Sequence, residues 1–236
     1  MISGKCFADL CRWVIDPRYP HRELFNYSRA VDGDWVFVNG NFMYEYIIRV
    51  PFLHTKFFNI IVHNSDRPFT YEVLKSMRAV RHVYAINTTF RHPKVSTIPI
   101  GFVDKQLPFL ETFRNPNTER DIEIYMNFTI GTNTTKRNEC VVAFQDDPRV
   151  VCRTNLSLPD YYSDLCRSKF VLCPEGTGID THRVYESILC GATPVVLRNS
   201  LSHLYEKLPV CIVDSWKDVF VKPSVNNILL QTKDFL

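Results

Sequence analysis

The sequence predicts an α/β protein built from two halves, each a parallel sheet wrapped by helices. Three observations carry this expectation. Short apolar runs of strand length alternate with segments of helical pattern through most of the chain. A polar stretch around 110–120, containing Asn115-Pro116-Asn117-Thr118-Glu119-Arg120, interrupts that alternation. Residues 168–197 then read as strand, glycine-bearing loop, helix and strand. The expected boundaries are 1–110 for the first half and 121–236 for the second.

In the first half, Trp35–Val38 and Phe58–Val62 have strand composition, and the segments after them, Phe42–Val50 and Thr70–Val80, have helical spacing. Strands at His82–Ile86 and Val95–Ile100 follow, before the Pro99 and Gly101 punctuation. The second half restarts with a strand at Ile122–Phe128, a Gly131-Thr132-Asn133 loop and a helix over Lys136–Phe144. It continues with strand Val150–Arg153, helix Pro159–Arg167, helix Leu201–Leu208, strand Val210–Val213 and a terminal helical stretch near Val225–Phe235. Units that alternate so regularly make a doubly wound sheet, whose ligands lie outside the carboxyl ends of the strands.

Composition narrows the function. At 236 residues and 45% hydrophobic content, the chain can bury a sizeable core. Its 28 Lys and Arg against 25 Asp and Glu give a formal charge of +3 with no long basic run, so nucleic acid is not an expected partner. MISGKCFADLCRWVIDP has neither a basic leader nor a small-residue cleavage site, and no stretch nears the roughly 18 apolar residues of a membrane span. A soluble, cytoplasmic protein is expected. The eight cysteines are scattered without a C-x-x-C pair and are read as reduced core residues.

The segment 168–197 carries the chemistry. Pro174 stops the apolar run Phe170–Cys173, and Gly176 and Gly178 let the next loop approach a ligand with bare backbone. Asp180 or Thr181 caps a helix that runs to Cys190, with Gly191 as its terminator. Val184, Ile188 and Leu189 form the apolar face, leaving Arg183 and Glu186 as neighbours one turn apart. A helix N-terminus favours anions, an arginine in its first turn adds a bidentate partner for phosphate, and a glutamate deeper in the helix suits a ribose diol. Set against this is a plain ion pair between Arg183 and Glu186 on a solvated face.

Phe170–Cys173, Pro174, Gly176, Arg183-Val-Tyr-Glu186 and Cys190-Gly-Ala-Thr-Pro194-Val-Val-Leu together resemble the nucleotide-sugar half of exostosin-type glycosyltransferases, including the small exostosin-like transferases of large algal viruses. His63-Asn64-Ser65-Asp66, Tyr84-Ala85-Ile86-Asn87, Ile98-Pro99-Ile100-Gly101, and Thr132-Asn133 ahead of Lys136-Arg137 follow in the order of that group. The resemblance implies the GT-B fold, in which two Rossmann-like halves face each other across a cleft. It implies sugar transfer, with inversion, from a nucleotide sugar, UDP-linked, to an oligosaccharide or glycoprotein glycan acceptor, and no cofactor beyond that co-substrate. One departure is Glu175, where many exostosins place arginine.

Such a reaction needs cations for the departing diphosphate and a base for the acceptor proton. Arg183, Lys136 and Arg137 are the candidate diphosphate ligands, Glu186 the ribose ligand, and Asp180, Thr181 and His182 flank the same corner. His63 and Asp66, directly after a strand of the first half, are the candidate bases, with Glu45 the next carboxylate. No metal is required; Asp32-Gly33-Asp34, the only D-x-D triplet, is the metal-dependent alternative. Rival readings are an epimerase or retaining transferase of the same fold, and a catalytically silent nucleotide- or glycan-binding module.

Overall fold

The computed structural model describes residues 2–113, 115 and 118–220. The chain splits into two compact units at Ile100–Gly101. Each has a five-stranded, fully parallel sheet, so the α/β class and the two parallel sheets expected from the alternation are present.

In the first unit β1 (Trp13–Ile15), β2 (Trp35–Asn39), β3 (Phe58–His63), β4 (Val80–Ala85) and β5 (Val95–Thr97) lie side by side in sequence order. Side chains alternate across this sheet. Val36, Val38, Phe58, Ile60, Val62, Val83 and Ala85 point to one face and pack with Tyr46 and Ile47 of α2 (Met43–Arg49) and Val73 and Leu74 of α3 (Tyr71–Ser76). On the other face α1 (Gly4–Asp9) lays Phe7 against His63, with ring centroids 5.2 Å apart. Gly4 permits that approach, since a Cβ there would stand 1.9 Å from Asn64 Oδ1.

The helix expected over Thr70–Val80 is shorter. Thr70 caps it by accepting from Val73 N (3.4 Å), but Met77 is extended, Ala79 has φ +57° and Val80 already pairs with Phe58. Neither α1 nor β1 was expected.

The second unit contains β6 (Ile122–Met126), β7 (Val150–Cys152), β8 (Ser168–Leu172), β9 (Thr193–Leu197) and β10 (Cys211–Val213), ordered β10-β9-β8-β6-β7. Its helices are α4 (Leu107–Phe113), which was not expected, α5 (Thr134–Phe144), α6 (Leu158–Arg167), α7 (His182–Leu189) and α8 (Ser202–Tyr205). The stretch expected near Val225–Phe235 lies outside the described residues. Ile124, Met126 and Phe128 pack on Cys140 and Phe144 of α5, while Tyr162 and Leu165 of α6 and Val184, Tyr185 and Ile188 of α7 are buried from their own helices. At the amino end of the sheet, Arg120 donates through Nη1 to the carbonyls of Cys166 (3.1 Å) and Ser168 (2.6 Å), and through Nη2 to that of Cys190 (2.8 Å).

Candidate functional site

Strand order locates the site. From β6 the chain passes to β7 on one side, then crosses back to β8 on the other, so β6 and β8 are neighbours whose following loops diverge. In an open parallel sheet that reversal makes a crevice at the carboxyl ends of the two strands. The strands of the first unit run in sequence order and contain no such reversal.

Arg137 ties the two diverging loops together. It shares a face of α5 with Cys140 and Phe144, at spacings of a helix side, and is therefore turned inward and buried. Its Nη1 donates to the Thr129 carbonyl (2.5 Å) on the β6 side and its Nε to the Glu175 carbonyl (3.1 Å) on the β8 side. Asn133, which caps α5 by accepting from Lys136 N (3.3 Å), adds a bond from Nδ2 to the Gly176 carbonyl (3.0 Å). Gly176 is needed for this junction, because a Cβ there would stand 2.8 Å from Arg137 Nη2. The glycine thus makes room for a guanidinium. Gly178 closes the loop by accepting from Gly176 N (3.0 Å), and Glu175 accepts from Asn199 Nδ2 (3.1 Å).

Arg183 meets Arg137 over the ring of Phe128, with guanidinium carbons 5.7 Å and 5.4 Å from its centroid. Burial and the Arg183 charge push the Arg137 pKa down to about 10. Burial also opposes the charge of Arg183, yet the acidic neighbours Tyr161, Cys173 and Glu186 outweigh it and raise its pKa. The Nε and Nη1 groups of Arg183 are buried without a hydrogen-bond partner, as is Oγ1 of Thr181, the residue at the N-cap position of α7. A buried orphan donor costs roughly 1–3 kcal/mol. An anion bridging the two arginines would lessen both that cost and their repulsion.

Glu186, buried, accepts a hydrogen bond from Tyr161 Oη (2.8 Å) rather than forming an ion pair with Arg183 on a solvated face. Burial first, and the Glu186 charge second, raise the Tyr161 pKa well above its ordinary value. Tyr161 carried no signal in the sequence: it belongs to α6, and only the fold brings it to α7. Phe128 was read as the end of a strand, and its role as a platform for two guanidiniums was missed.

The other candidates are placed as follows. Asp180 is buried and accepts from Tyr185 Oη (2.6 Å), Tyr205 Oη (2.9 Å) and its neighbour Thr181 N (3.0 Å). The cap position belongs to Thr181, whose side chain makes no capping bond. His182 donates from Nδ1 to the Gly101 carbonyl (2.6 Å), a contact that requires the proton on Nδ1. Lys136 is exposed on the first turn of α5, one residue round from the buried Arg137.

In the first unit His63 ends β3 and is buried, with Nε2 donating to the Pro99 carbonyl (3.2 Å) and Nδ1 accepting from Asn64 N (2.8 Å). These bonds engage both ring nitrogens with backbone. Asp66, in the loop after β3, is exposed. Glu45 bonds to Arg49 (3.1 Å) one turn along α2. Asp32 accepts from Phe57 N (2.7 Å) and Arg81 (2.6 Å), and Asp34 from Trp13 Nε1 (2.6 Å) and Val31 N (3.0 Å), so both carboxylates of the D-x-D triplet brace one turn.

Among the described residues no helix is long and apolar enough to cross a membrane. A comparison with curated proteins gives no match. Residues 109–219, just under half of the chain and all within the second unit, match the family of the RXYLT1 C-terminal domain. That similarity to an exostosin-like domain, on a Rossmann-like parallel sheet, supports a glycosyltransferase.

Proposed function

We propose that the protein transfers a sugar from a UDP-linked nucleotide sugar to a hydroxyl of a glycan acceptor, with inversion and without a metal ion. The observation that carries this reading is the pair Arg137 and Arg183 over Phe128, at the carboxyl ends of β6 and β8, with buried unpartnered donors on Arg183. Arg183 and Arg137 hold the diphosphate, Glu186 takes the ribose hydroxyls, and Lys136 adds a point charge at the rim. The helix N-terminus of α7 favours the same anion.

In the reaction the acceptor oxygen attacks the anomeric carbon as the bond from that carbon to the phosphate oxygen breaks. The nucleoside diphosphate leaves carrying the electron pair, and the two guanidiniums stabilise the charge that develops on it. The acceptor proton goes to Asp66, the exposed carboxylate of the two candidates after β3. His63 positions the Asn64–Asp66 loop through its bond with Asn64 N.

The test is a screen of nucleotide sugars for thermal stabilisation and for acceptor-dependent release of nucleoside diphosphate, in buffer with and without EDTA. Acceptor-dependent release of UDP that persists in chelator is expected. Binding without release would favour a silent binding module, and activity lost in EDTA and restored by manganese would overturn the metal-independent part.

A further inference from the structure

We propose that Cys166 and Cys190 form a thiol–disulfide pair that reversibly joins α6 to the end of α7. Their sulfur atoms lie 2.8 Å apart, both thiols are free, and both residues are buried. Bonded sulfurs stand about 2.05 Å apart, so closure asks for a displacement of only about 0.8 Å. The backbone is already held for it. Arg120 binds the carbonyl oxygens of Cys166 (3.1 Å) and Cys190 (2.8 Å) with one guanidinium, which fixes the two positions relative to each other although they are 24 residues apart in sequence.

With a low-molecular-weight disulfide as oxidant, one of the two cysteines loses its proton to solvent, displaces one thiolate and forms a mixed disulfide. The other then loses its proton to solvent and attacks the protein sulfur of that mixed disulfide, expelling the second thiolate. Two protein thiols are oxidised to one protein disulfide while one small disulfide is reduced to two thiols. The bond would lock together the helices that carry Tyr161 and Glu186, which meet at 2.8 Å.

The test is made on the full chain, reduced, unfolded and refolded in mixtures of reduced and oxidised glutathione. The oxidised share is raised until the exposed Cys152 is glutathionylated, and at that ratio remaining thiols are alkylated and the peptides mapped by mass spectrometry. The Cys166 peptide is expected linked to the Cys190 peptide. Recovery of both as alkylated thiols beside a glutathionylated Cys152, or their pairing with other cysteines, would overturn the proposal. In Cys190→Ser and in Cys166→Ser the remaining cysteine of the pair is expected linked to no other cysteine of the chain; its linkage to another cysteine in either variant would overturn the specific pairing, and the unsubstituted chain decides if either variant fails to refold.

Discussion

The guanidinium groups of Arg137 and Arg183 share one aromatic surface, the ring of Phe128, and differ in what else they touch. Arg137 joins two loops, with Nη1 on the carbonyl of Thr129 and Nε on that of Glu175. Arg183 keeps two buried N–H groups unpartnered beside it. One arginine builds the corner, and the other is left to be satisfied by whatever enters it.

Substitution should separate these roles. Arg183→Ala is expected to weaken UDP binding by roughly 1–3 kcal/mol, the loss of a charge-assisted hydrogen bond, and to lower the melting temperature less than Arg137→Ala does, since the buried Glu186 loses a neighbouring positive charge but no loop is released. Arg137→Ala is expected to weaken binding and also to lower the melting temperature, because it releases both loops. Calorimetric titration together with thermal melting reads both quantities; unchanged UDP affinity in Arg183→Ala would remove the site.

Tyr161→Phe should cost stability. It leaves the buried Glu186 carboxylate without the 2.8 Å bond that it accepts, a loss of roughly 1–3 kcal/mol. Glu186→Gln retains an acceptor for the tyrosine, and so should be milder in urea denaturation while still weakening UDP. Equal destabilisation by the two changes would show that packing, not the hydrogen bond, matters there.

Asp180→Ala is expected to be the most damaging single change in the corner. It would orphan the buried hydroxyls of Tyr185 and Tyr205 together, at roughly 1–3 kcal/mol each. Chemical denaturation should show a large fall in midpoint, and a shift as small as that of a surface substitution would mean the tyrosines find other partners.

Alkali should destabilise the protein in a defined window. Burial raises Cys11 and Cys173 from 9.0 to about 12, and Tyr125 from 10.0 to about 12. Between each pair of values the folded state holds a proton that the unfolded state has released, so stability falls as pH rises. The contribution is complete below pH 9 and is lost between 9 and 12, at about 1.4 kcal/mol per pH unit for each group. Urea midpoints should be level from about pH 7 to pH 8.5 and decline above; a level profile beyond pH 10 would contradict these shifts.

Asp66→Asn should lower the rate of transfer by orders of magnitude and leave UDP affinity unaltered, because only the transition state requires the proton to leave. His63→Ala should act mainly on stability, since both ring nitrogens serve backbone groups. A full transfer rate in Asp66→Asn would place the base elsewhere, with Glu45 the next carboxylate to substitute.

Much of the donor-side corner was legible because its signals are local. The run from Ser168 to Leu197 shows strand, loop, helix and strand in thirty residues, and R-x-x-E spacing puts Arg183 and Glu186 on adjoining helix positions whatever surrounds them. The inward turn of Arg137 was also present in the sequence, as its spacing to Cys140 and Phe144, although its charge set it beside Lys136 as a candidate diphosphate ligand at the helix start. Tyr161 and Tyr205 were not legible, since contacts across 25 residues leave no periodic trace. Among elements, α1 and β1 were missed because six and three residues are too few to show a period, and the end of α3 was overrun because the left-handed turn at Ala79 falls on a residue that ordinarily favours helix.

Arg120 stands at the opposite end of the same sheet from Arg183, and the contrast is one of satisfaction: its guanidinium has three carbonyl partners where Arg183 has orphaned donors. Stability and ligand demand are thereby segregated along the strand direction. On the proposed function, loops at the carboxyl edge would set which sugar nucleotide is accepted, while the amino edge, stapled by Arg120, keeps the helices in register. A library for altering the proposed donor preference would hold residues 120, 133 and 176 constant and vary the others within 129–133 and 175–179.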